Sequence, residues 1–511
     1  MTALDLSSPV AVVGTGTMGQ GIAQVALVAG HTVRLYDAAP GRAREAADAI
    51  GARLDRLVEK ERLAPADRDA ARARLLPAAD LSELGDCGLV VEAVLERLDV
   101  KQELFRALED VVSGDCLLAT NTSSLSVTAI GGALRRPGRF VGLHFFNPAP
   151  LLPLVEVVTG HATEAVHATR AYETARAWGK KPVACADTPG FVVNRIARPF
   201  YAEAFELHET RVADPATIDA VLREAGGFRM GAFELTDLIG QDVNEAVTRS
   251  VWESFFQDAR FRPSLAQRRL VESGRLGRKS GHGWYPYGEG ARRPEPSTAD
   301  KEDRPAYVTV VGDLGAAAEL TGMIAESGVE MRLEDGEPGE AGYLRLPGGG
   351  KVGLVGSVFF VDDEGRADFV AFDVSADYRA AGRVALAADP DASAETLAGA
   401  TGLFQALGKS VTVLDDDPLS GMVVGRTVAR IIDLAHDAVA RGVATEEDVD
   451  TAMRLGVNHP LGPFEWSRRL GPGWAYSLLE DLHRVDPSGR CAPSLALWRH
   501  AHAAEQRETT P

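Results

Sequence analysis

At 511 residues the chain is too long for one ordinary hydrophobic core, and roughly two to four domains are expected. Its 45% hydrophobic and 25% charged residues describe a soluble globular protein, and the excess of 73 acidic over 54 basic residues leaves a formal net charge of −19. Such a surface repels a phosphate backbone, which sets nucleic acid aside as a partner and confines any anionic ligand to local basic or helix-N-terminal sites. The start, MTALDLSSPV, has neither the basic region nor the apolar core of a secretory signal, and no apolar run is long enough to span a bilayer, so a cytoplasmic protein without a membrane partner is expected. Cys87, Cys116, Cys185 and Cys491 lie far apart without CxxC spacing and read as reduced structural residues, not as a metal site.

Along the chain, Val10–Val13, Thr32–Tyr36, Leu89–Ala93, Cys116–Thr120 and Phe140–His144 read as strands, with helical stretches such as Ala38–Arg62 between them. This alternation predicts an open, mostly parallel sheet wound on both faces, a Rossmann-type α/β domain over 1–186, with Leu154–Val158 as a further strand. From about Asp187 long helical patterns take over and predict an all-α domain over 187–287. The stretch GEGARRPEPSTADKEDRP reads as a linker over 288–306, residues 307–415 return to Gly-rich α/β character, and 416–505 are helical again.

The second helical stretch repeats the first. With Gly190 set on Gly421, an offset of 231 holds without a gap to Gly240 and Gly471, giving 13 identities over 51 positions. They include Val192/Val423, Val193/Val424, Arg195/Arg426, Asp219/Asp450, Gly231/Gly462, Phe233/Phe464 and Glu234/Glu465. An α/β-plus-helical unit therefore occurs twice, and its second α/β part reads as a degenerate copy. Gly312-Asp313-Leu314-Gly315 lacks a three-glycine fingerprint, and Gly425 stands where the first copy has Asn194. LPGGGKV at 346–352 fails as a phosphate loop, because Arg345 replaces its leading Gly and Val352 its Ser/Thr.

Two constellations carry chemistry. The first strand runs into Gly14-Thr15-Gly16-Thr17-Met18-Gly19 and then a helical run, and Asp37 follows at the end of the second strand. Gly14 permits the tight turn, Gly16 the approach of a pyrophosphate, and Gly19 close helix–strand packing, while Asp37 suits the adenine ribose hydroxyls. Ala38 and Ala39 follow with no adjacent Arg for a 2′-phosphate, so NAD is favoured over NADP. A Gly-rich turn without a ligand is the bland alternative. The second constellation is His144, in HFFNP at a strand end, with Glu156 in LVEVV. Alternation buries Glu156 with Leu154 and Val158, so it needs a partner, and a His–carboxylate pair suits the oxidation of a hydroxyl. Ser123, in NTSS after a strand, could bond a substrate oxygen, and Asn194, in DTPGFVVNR, could reach the same cleft. Turn chemistry and a buried amide between domains are their structural alternatives.

These motifs resemble the 3-hydroxyacyl-CoA dehydrogenase family. GTGTMGQGIA, VVEAVLERLDVK, NTSSL, HFFNPAPLLPLVEVV, DTPGFVVNR and GRKSGHGWY follow the family's order over about residues 9–287. The resemblance implies NAD-dependent, reversible oxidation of a (3S)-3-hydroxyacyl-CoA, with His144 and Glu156 catalytic and Ser123 and Asn194 beside them. It implies cofactor contacts at Asp37, Glu96, Lys101, Ser123, Asn147 and Lys279. The whole chain is similar to a longer bacterial form with an appended helical domain, which serves 3-hydroxybutyryl-CoA or, in phenylacetate breakdown, 3-hydroxyadipyl-CoA. An enoyl-CoA hydratase and a thiolase would then be separate proteins. Family members dimerise through the helical domain, so the tandem copy could form a pseudo-dimer within one chain, with a homo-oligomer as the alternative. A dehydrogenase of a free hydroxy acid or sugar acid, and a non-catalytic NAD-binding scaffold, are the competing functions.

Overall fold

The computed structural model describes residues 2–337, 340–356, 368–415 and 420–508, with side chains as far as residue 503. The chain forms two compact units, one made of 1–195 and 441–457, the other of 196–440 and 458–511. These units cut across the expected domain boundaries. The entry to the first helical stretch belongs with the first sheet, and so does a short piece of the second helical stretch.

The first unit is built on eight strands: β1 (Val10–Val13), β2 (Val33–Tyr36), β3 (Leu75–Pro77), β4 (Leu89–Glu92), β5 (Leu117–Thr120), β6 (Phe140–Phe145), β7 (Leu154–Thr159) and β8 (Lys181–Ala186). Their order is β3-β2-β1-β4-β5-β6-β7-β8, parallel throughout except that β6 and β7 run antiparallel. The near-continuous Val and Leu runs of β1, β4 and β5 are buried on both faces, as parallel strands under helices must be. Two edge-side strands escape a hydrophobicity reading: β3 is short and ends on a proline, and β8 opens on Lys181-Pro182. The helix expected over Ala38–Arg62 is confined to Arg42–Glu59, because Gly41 takes φ +83° just before it. The β1–β4 neighbourhood is where the strand order reverses, which puts a crevice at the carboxyl ends of these strands.

The second unit carries a seven-stranded sheet: β9 (Tyr307–Val311), β10 (Glu330–Glu334), β11 (Tyr343–Arg345), β12 (Lys351–Leu354), β13 (Phe369–Phe372), β14 (Arg383–Ala388) and β15 (Ser410–Val413). Its order is β10-β9-β11-β12-β13-β14-β15. The antiparallel β13–β14 pair followed by parallel β15 repeats the β6–β7–β8 arrangement. The glycine-rich stretch that superficially resembles a phosphate loop is the turn of the antiparallel β11–β12 hairpin, with Gly349 at φ +93°. Residues expected as a linker are tied down: Ala299 donates to the Val411 carbonyl at 2.8 Å, and the Ser297 carbonyl accepts from Thr412 at 2.9 Å and Arg383 at 3.2 Å.

The helical repeat is repeated in geometry as well as in sequence. The helices Ala232–Ile239 and Pro463–Leu470 both begin after a glycine whose amide donates to the glutamate three residues on, Gly231 to Glu234 at 2.8 Å and Gly462 to Glu465 at 2.7 Å. Both end on a left-handed glycine, Gly240 at φ +105° and Gly471 at φ +92°. The shared Phe-Glu pair is thus explained by capping and packing. The helix Arg198–Glu209 packs along its repeat counterpart within Val424–Ala440. Buried between them, Glu203 lies 2.9 Å from Arg426, 3.4 Å from Arg430 and 2.7 Å from Arg490. Among the described residues no helix is long and apolar enough to cross a membrane.

Burial alone would push the Glu203 carboxyl up, but Arg490, Arg426 and Arg430 overcome it and hold the pKa down at about 2. A depressed carboxylate stabilises the fold above its unfolded value, about 4.3, and that contribution is lost as pH falls towards the folded one. Glu203→Ala is expected to cost about 3–5 kcal/mol at neutral pH by stranding buried guanidinium groups. The loss should shrink between about pH 4.3 and pH 2, read as urea midpoints across a pH series.

Candidate active site

The glycine turn has the geometry of a dinucleotide cradle. Gly14 sits at φ +95°, and a Cβ on Gly19 would lie 1.8 Å from the Gly14 carbonyl oxygen, so neither position admits a side chain. Around Gly16, by contrast, an added Cβ would meet nothing within 4 Å, which leaves open space where a pyrophosphate would approach. The helix Thr17–Val28 starts there without a side-chain cap, so its first amides face that space, next to the exposed Thr17 and half-buried Met18. Asp37 stands beside the turn. One carboxylate oxygen accepts the Thr15 amide at 3.0 Å and the Thr15 hydroxyl at 2.6 Å, and the other accepts the Ala39 amide at 3.0 Å. Partial burial would raise the Asp37 pKa, but the Thr15 and Ala39 bonds and the charge of Arg42 hold it below the ordinary carboxylate value. Arg42 is the one departure from the neutral surroundings expected of Asp37. These features fit an NAD.

The His144–Glu156 pair forms across β6 and β7. His144 and Glu156 are register partners in this antiparallel pair, and His144 Nδ1 lies 2.6 Å from Glu156 Oε2. Glu156 is fully buried and His144 is 6% exposed, its ring set between Phe146 and Phe191 at centroid distances of 4.6 and 5.7 Å. The other oxygen, Oε1, accepts the amides of Val192 at 3.0 Å and Val193 at 2.9 Å. Those amides converge because Gly190 and Phe191 are both left-handed, at φ +76° and +51°, just before the helix Val193–Ile196. A carboxylate that accepts three donors fixes the imidazole with Nδ1–H towards Glu156 and the Nε2 lone pair outward.

A second network shapes the loop after β5. Asn121 accepts the Phe145 amide at 2.8 Å and so ties this loop to the strand that carries His144. Glu96 accepts the Thr122 hydroxyl at 2.6 Å and the amides of Ser123 and Ser124 at 3.0 and 3.1 Å. Burial opposes ionisation of Glu96, yet the charge of Lys101 and the Thr122 and Ser123 bonds lower its pKa. Lys101 itself is only 1% exposed, 2.5 Å from Glu92 and 3.2 Å from Glu96. The structure therefore buries Lys101 between Glu92 and Glu96. Glu92, buried at the end of β4 and also accepting the Thr120 hydroxyl at 2.6 Å, escapes the sequence reading. Its signal is a carboxylate closing an all-apolar strand. The Ser123 hydroxyl has no protein partner among the described residues, Asn194 lies half-buried on the helix Val193–Ile196, and Asn147 is exposed beyond β6. Lys279, in the second unit, is about half exposed and paired with Asp242 at 2.6 Å.

The second sheet repeats the scaffold without the pair. Gly421 and Met422 are left-handed at φ +77° and +57°, as Gly190 and Phe191 are, and the amides of Val423, Val424 and Gly425 converge on Asp373 at 3.1, 2.7 and 2.8 Å. Asp373 follows β13, the counterpart of the histidine-bearing β6, and its amide bonds Ala385 on β14. An aspartate and an alanine thus face each other where the first sheet has His144 and Glu156. Gly425 is required there, since a Cβ would lie 2.9 Å from Val355 Cγ1.

Residues 9–188 match the NAD binding domain of 3-hydroxyacyl-CoA dehydrogenases, and residues 190–287 and 421–511 each match the family's C-terminal domain. Residues 360–418 match the reduced Rossmann-fold domain of 3-hydroxybutyryl-CoA dehydrogenase. The chain is 42% identical to the 3-hydroxyadipyl-CoA dehydrogenase of Escherichia coli, over 96% of this chain and 97% of that protein. It is 40% identical to a probable 3-hydroxybutyryl-CoA dehydrogenase of Deinococcus radiodurans, over 54% of this chain and 99% of that one. A crystal structure of 3-hydroxybutyryl-CoA dehydrogenase from Escherichia coli superposes with a TM-score of 0.86 at 40% identity, covering 99% of this chain and 100% of that one.

Asp37→Ala is expected to weaken NAD binding and to lower the thermal midpoint only modestly, because the residue is partly exposed and its protein bonds are those to Thr15 and Ala39. NADP should bind wild type far more weakly than NAD. Equal affinities in fluorescence titrations would remove the role given to Asp37.

Proposed function

The chain belongs to the 3-hydroxyacyl-CoA dehydrogenase family and is an NAD-dependent enzyme of that kind. From that premise we propose that its substrate is a short 3-hydroxyacyl-CoA, 3-hydroxyadipyl-CoA or 3-hydroxybutyryl-CoA, and that His144 is the base that takes the hydroxyl proton in its NAD-dependent oxidation to the 3-oxo thioester. The observation that carries the reading is the His144–Glu156 bond with both oxygens of the carboxylate occupied. With Nδ1–H committed to Glu156, Nε2 is the atom that takes the proton of the 3-hydroxyl, and Glu156 stabilises the imidazolium that results. The Gly14–Gly19 turn and Asp37 would hold NAD, which would supply the acceptor for the hydride that leaves the same carbon. Ser123, whose hydroxyl has no protein partner among the described residues, and Asn194, on the turn that holds Glu156, orient the substrate oxygen. The Phe146 and Phe191 rings keep bulk water from the imidazole. The acyl preference follows the two Escherichia coli relatives that match nearly the whole chain.

His144→Gln is expected to lower kcat by about 10²–10⁴-fold, the usual worth of a positioned acid–base group, with NAD binding retained. Near-normal turnover of that variant at neutral pH would overturn the assignment. Across a thioester series, the CoA esters of 3-hydroxyadipate and 3-hydroxybutyrate should give the highest kcat/KM, and the free acids should give no turnover. Turnover of a free acid would point to a different dehydrogenase.

We further propose that the helical repeats act as a dimer within one chain and that the second sheet binds no NAD. The repeat-related packing of Arg198–Glu209 on Val424–Ala440 supports the first part, and the missing fingerprint and His–Glu pair support the second. Calorimetric titration should then give one NAD per chain. Two sites would contradict the degenerate-copy reading.

A further inference from the structure

The helix Glu446–Gly456 belongs to the second helical repeat in sequence, yet it is part of the first unit, packed on β7 and β8. β8 is the edge of its sheet, and this segment takes up the edge amides: Ala186 donates to the Val443 carbonyl at 2.8 Å, and Ala184 to the Asp448 carboxylate. Val449, Ala452 and Met453 on the inner face are fully buried. The last residue, Gly456, makes the contact that bears on chemistry. A Cβ there would lie 2.7 Å from Leu154 Cδ2 and 3.1 Å from Val193 Cγ2. Leu154 shares a face of β7 with Glu156, and Val193 supplies one of the two amides that hold Glu156 Oε1.

We infer that Gly456 is a positioning residue for the catalytic carboxylate: the second helical repeat reaches the first sheet and sets the spacing between β7 and the amides that hold Glu156. The inference rests on His144 and Glu156 being the catalytic pair. Val193 is β-branched and has little rotamer freedom, so pressure on it moves the helix turn itself, and with it the amides on Oε1. The second unit builds the same contact without the chemistry. A Cβ on Gly226 would lie 3.1 Å from Val424 Cγ2, and the Val424 amide holds Asp373 at 2.7 Å, where the first sheet's histidine has no counterpart. The Gly226 contact can therefore only pack, which makes it the internal control.

His144 on β6 bonds Glu156, and Cys185 on β8 lies within the fields of Glu156, Asp448 and Asp187; none of these groups changes in Gly456→Val. Gly456→Val is expected to lower kcat by about 10- to 100-fold, the scale of a displacement near 1 Å, with KM for NAD unchanged. The acid limb of the pH–kcat profile should move to lower pH, because a re-aimed carboxylate supports the imidazolium less. Gly456→Ala places one methyl against the same two side chains and should move both readouts the same way by less, which keeps the test open if the valine variant does not fold. Gly226→Val should lower the thermal midpoint and leave kcat per folded molecule and the acid limb where they are. A folded Gly456 variant with wild-type kcat and acid limb would overturn the inference, as would a Gly226 variant that shifts the limb equally. Wild-type turnover is measured first: its absence would sink the catalytic reading, whereas an active wild type with unresponsive Gly456 variants would sink the positioning role alone.

Discussion

The architecture of the first unit depends on one buried carboxylate. Glu156 has no exposure, and a carboxylate in that position is tolerated only if every lobe of its charge is met by a donor. Its oxygens are shared between an imidazole on the neighbouring strand and two amides at the start of a helix. Each demand constrains something larger. The imidazole requires β6 and β7 to pair in the register that sets His144 opposite Glu156, and the amides require the chain to leave β8 through two left-handed residues. Phe191 is a bulky residue in that conformation, and the local strain persists because the converging amides need it.

The second sheet shows what survives when the chemistry is withdrawn. The left-handed pair and the converging amides are still there, and so is a buried carboxylate, but it has crossed from the second strand of the antiparallel pair to the first. Asp373 accepts the amides from the strand position that holds His144 in the first sheet. Gly425 closes the space where Asn194 stands in the first copy, because Val355 and Asp373 crowd it. The duplicated scaffold keeps its packing, and the helix Val424–Ala440 packs on its counterpart Arg198–Glu209.

A chain with a formal charge of −19 that binds an anionic cofactor must do so with something other than bulk charge. The glycine turn offers backbone amides and empty space. The acidic residues nearby are occupied: Asp37 by Thr15 and Ala39, Glu96 by the Thr122–Ser124 turn, Glu92 by Lys101 and Thr120. Lys101 is paired within that network with Glu92 and Glu96.

Much of this was legible in the residues alone. Gly14 and Gly19 mark positions where no side chain fits, Gly16 leaves open space, and the strands around this turn are apolar runs that only a two-sided sheet can bury. Glu156 among Leu154 and Val158 announced a buried charge in need of a partner, and His144 was the nearest strand-end candidate. The repeat was visible because an ungapped offset kept its glycines and its Phe-Glu pair together. Other features were decided only in three dimensions. Local pattern could not show that Lys101 is buried between two glutamates, that the Gly-rich stretch after Arg345 is a hairpin turn, or that Ser297 and Ala299 of the expected linker bond to β15. Nor could it show that residues 441–457 pack with the first sheet, since their sequence pattern matches the helical stretch they belong to. The division has a physical reason. Periodicity and backbone-restricted residues encode what a segment becomes, whereas a side chain's partner depends on which distant segment arrives beside it, and that is set by the packing of the whole chain.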